Sequence, residues 1–177
     1  MGKCKSDKGV KVAKKYVGYL EKRSNKQLDT MTGNAGDKNF TIFAKKFKEL
    51  TGIDNQGSAW CDMFVDCCFA EAYGKDDAKR LLGGFSAYTP TSAQYFKHIG
   101  VWHTDKPAPG DVIFFKNDQR ICHTGIVYKV SKLTVYTIEG NTSSGAEVIP
   151  NGGAVCMKSY LLSNHRIAGY GRPEYDK

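Results

Sequence analysis

The sequence lacks any long run of apolar residues. No segment approaches the roughly 20 consecutive apolar residues that a membrane-spanning helix needs, so we expect no membrane span. Internal repeats and low-complexity tracts are missing too, which argues against a solenoid and against a disordered chain. With 41% hydrophobic and 25% charged residues, the 177-residue chain has the composition of a globular protein, and its length predicts a single domain.

The cysteines show neither the spacing of a disulfide framework nor that of a zinc site. No C-x-x-C pair occurs among the six, and a chain of this length does not need disulfides to hold its core. The apolar stretch of a secretory signal is also missing near the N-terminus, so we expect synthesis in the cytoplasm with reduced thiols. We expect no metal and no organic cofactor. The cysteines are Cys4, Cys61, Cys67, Cys68, Cys122 and Cys156.

Negative charge is scarce in the first part of the chain. Residues 1–48 contain 13 Lys and Arg against 4 Asp and Glu, while residues 49–177 are nearly balanced, so the net charge of +8 arises from the N-terminal quarter. Such a segment attracts polyanions in a salt-sensitive way, although a solvated helix face explains it as well. Zinc-finger spacing and aromatic RNA-binding motifs are missing, so we expect no nucleic-acid partner. An anionic cell wall would satisfy the same charge.

Helical periodicity fills the first part of the chain and strand periodicity the second. Apolar residues recur at helical spacing over 10–23, 39–50 and 61–73, and Thr-Pro opens a further helix that reaches about residue 98. After Pro107 the pattern becomes β-rich, with the runs DVIFF, HTGIVYKV and LTVYTIEG and further strands over 155–158 and 167–170. This order predicts an α+β fold in which N-terminal helices pack on a C-terminal antiparallel β-sheet.

Cys61 stands where a turn becomes a helix. The unpaired backbone N–H groups and the positive dipole end at a helix start stabilise a thiolate, lower its pKa, and can hold a developing oxyanion. Taken alone, a cysteine in this position is more often structural than catalytic. Cys67 and Cys68 lie in the middle of the same helix, where a thiol acts as a small apolar side chain. Asp62 and Asp66 are expected on its solvent side.

His123 and Glu139 lie on two β-rich runs that resemble the arms of a hairpin. A turn centred on Ser131 places them opposite each other, because each lies eight residues from it. A carboxylate beside an imidazole fixes its tautomer and leaves the other ring nitrogen for a thiol. Asn141 projects from the same face if the strand continues. The alternative is a surface ladder pair, and a register slip of one residue would separate the two side chains.

Four ordered blocks of the sequence resemble a CHAP domain, the cysteine, histidine-dependent amidohydrolase/peptidase family of the papain-like superfamily. The resemblance spans residues 35–173, and four blocks in order are more specific than any single motif. It implies a papain-like α+β fold with the nucleophile at a helix start and the histidine on an antiparallel sheet. The blocks are residues 60–65 (WCDMFV), 109–115 (PGDVIFF), 123–127 (HTGIV) and 138–142 (IEGNT).

The resemblance implies hydrolysis of an amide bond in bacterial peptidoglycan, by N-acetylmuramoyl-L-alanine amidase or peptide endopeptidase action. It implies Cys61 as the nucleophile, His123 as general base and then general acid, and Glu139 as the orienting carboxylate. Asn141 matches a polar fourth member of the site. Bacterial peptidoglycan is the expected partner, and anionic wall polymers are a further partner for the basic N-terminal region.

We divide the chain into a basic helical N-terminal extension, residues 1–30, and a catalytic domain, residues 31–177. Several phage members of the family carry an aspartate-rich calcium loop before the cysteine, but only Asp54 stands in this stretch, so calcium is not predicted. The backbone N–H of Cys61 is the expected oxyanion donor. Gln56 and Asn55 are the candidate side-chain donors.

Two other functions are compatible with the same residues. One is a cysteine amidase that acts on a different acyl substrate, because one fold hosts many chemistries. The other is a non-catalytic module that binds the cell wall or a polyanion through the basic N-terminal region. A phage or prophage lysin and a secreted interbacterial toxin both fit the sequence, each acting on the wall after release or non-classical secretion.

Overall fold

In the described part of the chain, five helices come first and six strands follow. The structure is a computed structural model that describes residues 4–176. The helices are α1 (Ser6–Lys15), α2 (Ile42–Thr51), α3 (Cys61–Tyr73), α4 (Lys75–Leu82) and α5 (Thr89–His98). The strands are β1 (Trp102–His103), β2 (Val112–Lys116), β3 (Ile121–Val130), β4 (Thr134–Thr142), β5 (Ala154–Leu161) and β6 (Ile167–Gly171). In this part of the chain no helix combines the length and apolar character needed to cross a membrane.

The strands form one sheet in the order β1-β6-β2-β3-β4-β5, and every neighbouring pair is antiparallel. Alternate side chains of β2 serve two different cores, as the two-residue period of a strand requires. Val112 and Phe114 pack with the helices, whereas Ile113 and Phe115 pack with Tyr160 on the other face. The predicted α+β arrangement of helices followed by an antiparallel sheet is therefore confirmed.

Most of the predicted helix boundaries are confirmed, and their local causes are visible. The hydroxyl of Thr41 accepts a hydrogen bond from the backbone N–H of Ala44 and caps α2, and Gly52 ends that helix in the left-handed region. Proline stands in the first turn of α5, where its missing N–H costs nothing. Helix α4 was not predicted; it starts directly after Gly74, which ends α3.

The first helix lies further towards the N-terminus than predicted. We expected a helix over 10–23, but α1 ends at Lys15. From Gly18 the chain pairs with the sheet instead, since the N–H of Gly18 donates to the carbonyl of Val155 and Leu20 bridges Ala154. Hydrogen bonding to the edge strand β5 therefore determines the structure of this segment, although its apolar residues have helical spacing.

Helix α1 packs against the body of the protein. Val10 and Ala13 are buried in the core that the helices share with the sheet. The hydroxyl of Tyr73, at the end of α3, donates to the carbonyl of Lys5 and accepts from the N–H of Gly9. The basic segment thus contributes apolar side chains to the same core as the rest of the chain.

The start of α3 lies in close contact with strand β4 at Gly140. A Cβ atom at this position would lie 2.6 Å from Cβ of Phe64 and 2.9 Å from Cζ3 of Trp60. Both neighbours are fully buried and cannot move aside without displacing others. Gly140 therefore sets how closely the helix that begins at Cys61 approaches the sheet.

We expect Gly140→Ala to lower the free energy of unfolding by about 2 kcal/mol or more, because the added methyl group overpacks a filled core. Urea denaturation of the purified variant measures this loss. Gly9→Ala is the matched control: its Cβ would meet Tyr73 at an ordinary 3.4 Å, and alanine favours the helix. Equal stability of the Gly140 and Gly9 variants would contradict the close approach of α3 to β4.

Candidate functional site

Cys61 is the first residue of α3, as predicted. Trp60 precedes it as the N-cap and makes no hydrogen bond from its side chain to the first turn. The first N–H groups of a helix have no partner within the helix, so the amide of Cys61 remains able to donate to a ligand. Only 4% of the Cys61 surface is exposed. The thiol and its neighbouring N–H groups therefore occupy a site from which water is largely excluded.

Trp60 is fixed by a residue that the sequence did not single out. Its indole N–H donates to Oε2 of Glu21 at 2.9 Å, and the N–H of Asn39 donates to the other carboxylate oxygen at 3.4 Å. Glu21 is buried and belongs to the N-terminal segment that pairs with β5. A segment predicted as a separate extension thus holds the residue just before Cys61.

Burial raises the pKa of the Cys61 thiol above its ordinary value, and the negative charges of Asp62 and Glu139 raise it further. The backbone N–H groups of Thr124 and Asp62 lower the pKa, but they do not compensate for the loss of water. The prediction that the helix start gives a lowered thiol pKa is therefore wrong for this arrangement. The influence of Thr124 also shows that the sulfur lies beside β3, at the residue that follows His123.

His123 and Glu139 form a fully buried pair. The ring Nε2 of His123 lies 2.8 Å from Oε2 of Glu139, and the ring stacks on Phe115 with centroids 5.8 Å apart. An ionised carboxylate only accepts hydrogen bonds, so the pair places a proton on Nε2. The other ring nitrogen, Nδ1, is buried and has no hydrogen-bond partner in the described chain. Its lone pair is thus available to accept a proton.

Two further side chains hold the carboxylate of Glu139. The hydroxyl of Thr137 donates to Oε1 at 2.6 Å, and the hydroxyl of Tyr160 donates to Oε2 at 3.2 Å. Burial and the charge of Glu139 raise the pKa of Tyr160, which therefore stays protonated. Sequence reasoning missed both residues. Thr137 could have been found, since it lies two residues before Glu139 on the same face, but no sequence signal marked Tyr160.

The predicted pairing of His123 directly opposite Glu139 is wrong. Ile126 lies opposite Ile138, and the same register continued along β3 places Gly125 opposite Glu139. A Cβ atom on Gly125 would lie 2.6 Å from Cγ of Glu139. The missing side chain leaves room for Glu139 to reach His123 as its diagonal neighbour on the same face.

An irregularity in β3 brings the two side chains to the same face. The turn is formed by the N–H of Ser131 donating to the carbonyl of Thr134, so its centre lies beyond the predicted position. If regular pairing continued from this turn without a bulge, the side chains of His123 and Glu139 would lie on opposite faces of the sheet. Tyr128 is an extra residue on β3 between the paired Val127 and Lys129, and the bulge restores the shared face.

Asn141 lies in a second irregularity, between Glu139 and Thr142 on β4. Its backbone is in the left-handed region, with φ of 55°, so the strand does not continue regularly as the prediction required. Its Oδ1 accepts from the N–H of Gly153 at 3.4 Å, and its Nδ2 is buried without a hydrogen-bond partner in the described chain. Asn141 thus fastens the chain around residue 153 to β4, next to Glu139.

Gln56 is not available as an oxyanion donor. Its amide group accepts from the N–H of Thr41 and donates to the carbonyl of Thr41, each at 2.9 Å. The carboxylate of Asp54 pairs with Lys48 at 2.8 Å. Within residues 4–176 no group of three or more His, Cys, Asp or Glu side chains is arranged to hold a metal ion.

Asp62 and Asp66 are buried, so their predicted place on the solvent side of α3 is wrong. Ser92 of α5 donates to Asp62 at 2.6 Å, and the N–H of Ser86 donates to Asp66 at 3.0 Å. Burial raises the pKa of Asp62 to about 7, although the hydrogen bond from Ser92 lowers it. Burial and the charge of Asp62 raise the pKa of Asp66 as well. The chain before and within α5 covers this side of the helix.

The family model of the CHAP domain matches residues 53–141, just over half of the chain. This range contains all four predicted site residues, Cys61, His123, Glu139 and Asn141. With this match the predicted resemblance is confirmed. A search of curated proteins found no match.

Among solved structures, the chain is similar to the crystal structure of Ly7917, with a TM-score of 0.54 and 11% sequence identity. The superposition covers 95% of this chain and 62% of that chain, so the chain spans less than two thirds of the length of that protein. At this identity the likeness shows the fold alone. The family match, this likeness and the α+β arrangement together confirm the predicted papain-like fold class.

The buried carboxyl groups make stability depend on pH. Unfolded Asp62 loses its proton near pH 4 but folded Asp62 only near pH 7, so in between the folded state holds the extra proton and stability falls as pH rises. We expect Asp62→Asn to remove on the order of 3 kcal/mol of the difference in unfolding free energy between about pH 4.5 and about pH 7.5. Urea denaturation at both pH values measures it.

Asp76→Asn on the exposed side of α4 is the control for this experiment and should keep the wild-type pH dependence. An unchanged pH dependence in the Asp62 variant would show that this carboxyl group ionises near its ordinary value in the folded protein.

Proposed function

The chain belongs to the CHAP domain family, and from this premise we propose that it is a peptidoglycan hydrolase that cleaves an amide bond in the bacterial cell wall through the thiol of Cys61. The observation that carries the proposal is the buried pair of His123 and Glu139 beside the start of α3. A general base that is oriented by a carboxylate and lies near a thiol is the arrangement used in nucleophilic catalysis. Both amidase and peptide endopeptidase action fit it.

The first step follows from the protonation states. Because burial keeps the thiol of Cys61 neutral, the thiol passes its proton to Nδ1 of His123 as its sulfur attacks the amide carbonyl. The imidazolium that forms is stabilised by Glu139 at Nε2. The carbonyl oxygen becomes an oxyanion, and the backbone N–H of Cys61 donates to it at the positive end of α3.

The second half of the reaction reverses the proton transfer. The imidazolium of His123 gives its proton to the leaving amine, the C–N bond breaks, and a thioester joins the acyl group to Cys61. Water then attacks the thioester carbonyl while Nδ1 of His123 accepts one of its protons. That proton returns to the sulfur as the C–S bond breaks, so a carboxylic acid leaves and the thiol is restored.

A weaker contribution is proposed for the positive charge of α1. Lys11 pairs with Asp7 and Lys15 lies 3.7 Å from Glu71, so part of this charge is balanced within the protein. The remaining charge attracts anionic wall polymers over a distance set by the salt concentration. This attraction raises the amount of enzyme on the wall without taking part in bond cleavage.

We expect Cys61→Ala and His123→Ala to abolish the release of new amine ends from purified peptidoglycan, because each removes a group that bonds to or deprotonates a reacting atom. Cys122→Ser is the matched control: Cys122 is partly buried, and its sulfur lies 3.8 Å from Nη2 of Arg166 and not at the buried pair. Circular dichroism verifies that each variant is folded. Wall cleavage by a folded Cys61→Ala variant at the wild-type rate would disprove the proposal.

We expect Glu139→Gln to lower kcat by roughly a hundredfold at most, a smaller effect than either alanine variant. The amide oxygen still accepts a hydrogen bond from Nε2 of His123, but a neutral group does not stabilise the imidazolium. Initial rates on soluble peptidoglycan fragments measure the change, and Thr134→Ser at the other end of β4 is the control. A fully inactive, folded Glu139 variant would mean that the negative charge is indispensable and not only supportive.

A further inference from the structure

The chain over residues 86–92, which leads into the first turn of α5, lies along the start of α3. Ser86 is bound to Asp66 and Ser92 to Asp62, and these two carboxylates follow one another on one side of α3. Asp62 is the residue after Cys61. Both carboxylates are buried, and the chain over 86–92 is held along the helix from its first turn.

The same segment is tied to the strand that carries His123. The hydroxyl of Thr89 donates to the carbonyl of Ile121 at 3.1 Å. Ile121 is the first residue of β3 and lies two positions before His123. Tyr88 therefore lies between the helix that begins at Cys61 and the start of β3, the two elements that supply the nucleophile and the base.

Tyr88 and Arg120 form an exposed pair at this position. The side chain of Tyr88 is 53% exposed, and the guanidinium of Arg120 lies over its ring at 5.3 Å from the centroid. Within residues 4–176 the guanidinium of Arg120 makes one hydrogen bond, from Nη1 to the carbonyl of Ile121 at 2.9 Å. No carboxylate of residues 4–176 forms an ion pair with it. The guanidinium therefore presents N–H donors to solvent at the start of β3, the strand that carries His123.

A second cation–aromatic pair, Lys97 with Trp102, shows such a pair whose ring is held by the core. Lys97 lies over Trp102 at 4.8 Å, near the other end of α5. Trp102 is half-buried and packs on Phe114 of the core, with ring centroids 5.5 Å apart. Tyr88 is exposed and is a member of neither core. Core packing therefore explains the pair at Trp102 and does not explain the pair at Tyr88.

We propose that Tyr88 and Arg120 form a substrate subsite that binds a carboxylate of the wall peptide next to the scissile bond. The inference rests on the proposed function. A planar guanidinium binds a carboxylate through two parallel hydrogen bonds, and stacking on the tyrosine ring keeps its plane fixed. The peptides of peptidoglycan carry such carboxylates along their length. The substrate class is thus an anionic peptide, and its charge places the scissile amide at Cys61.

The test compares two forms of soluble peptidoglycan fragments, untreated and with the carboxylates converted to carboxamides. We expect wild-type protein to cleave the untreated fragments with a kcat/KM about fivefold higher than that for the amidated fragments. A factor of this size corresponds to the free energy of a partly exposed ion pair. Arg120→Gln should bring this ratio close to one, and the change should come mainly from a higher KM on untreated fragments.

Matched variants separate the subsite from general effects. Tyr88→Phe keeps the ring and should keep the discrimination, whereas Tyr88→Ala removes the support of the guanidinium and should lower it. Lys97→Ala removes a cation from the far end of α5 and should keep the wild-type ratio.

The outcomes for the subsite and for the hydrolase are distinct. An unchanged ratio in Arg120→Gln, an equal loss on both substrates, or equal cleavage of both substrates by wild-type protein would overturn the subsite and leave the hydrolase intact. If wild-type protein cleaves neither substrate, the proposed function fails and the subsite fails with it.

Discussion

A buried carboxylate needs hydrogen-bond donors, and the site is built around this need at Glu139. An ionised side chain without water is strongly destabilised unless its oxygens are bound. His123, Thr137 and Tyr160 each donate to it, and they come from β3, β4 and β5. The same contacts join three neighbouring strands, fix the ring of His123 and place its proton on Nε2. The contacts that stabilise the buried charge are thus also the ones that orient the ring of His123, the base in our proposal.

The sequence was enough to predict that Cys61, His123 and Glu139 lie close together. It was not enough to predict the strand register and the contacts that join them. The helix start at Cys61 follows from the turn before it, and alternation identified the strands. The contact of His123 with Glu139 depends on the bulge at Tyr128 and on the missing side chain of Gly125. Neither feature changes the alternation pattern in a way that a single sequence reveals, because a bulge is set by how two strands pair.

Contacts between elements distant in sequence explain the other differences between the predicted and the observed structure. An aspartate on a helix is expected to face water, and Asp62 and Asp66 would do so if the chain before α5 did not lie over them. The periodicity of α3 shows which residues share a face, but not which element will pack there. Likewise, α1 ends early because Gly18 finds a partner on β5, 137 residues later in the chain. The predicted boundary at residue 30 stays a prediction, although Glu21 from that segment binds Trp60 beside Cys61.

The raised pKa of the Cys61 thiol determines how the site can act. Burial favours the neutral thiol over the thiolate more strongly than the helix start and two backbone N–H groups favour the charge. A neutral thiol becomes a nucleophile only if its proton leaves during the attack. The nearby imidazole can accept that proton because Glu139 stabilises the cation that results, and this attraction is stronger where water is excluded. The burial that keeps the sulfur uncharged at rest therefore also strengthens the pair that we propose removes its proton.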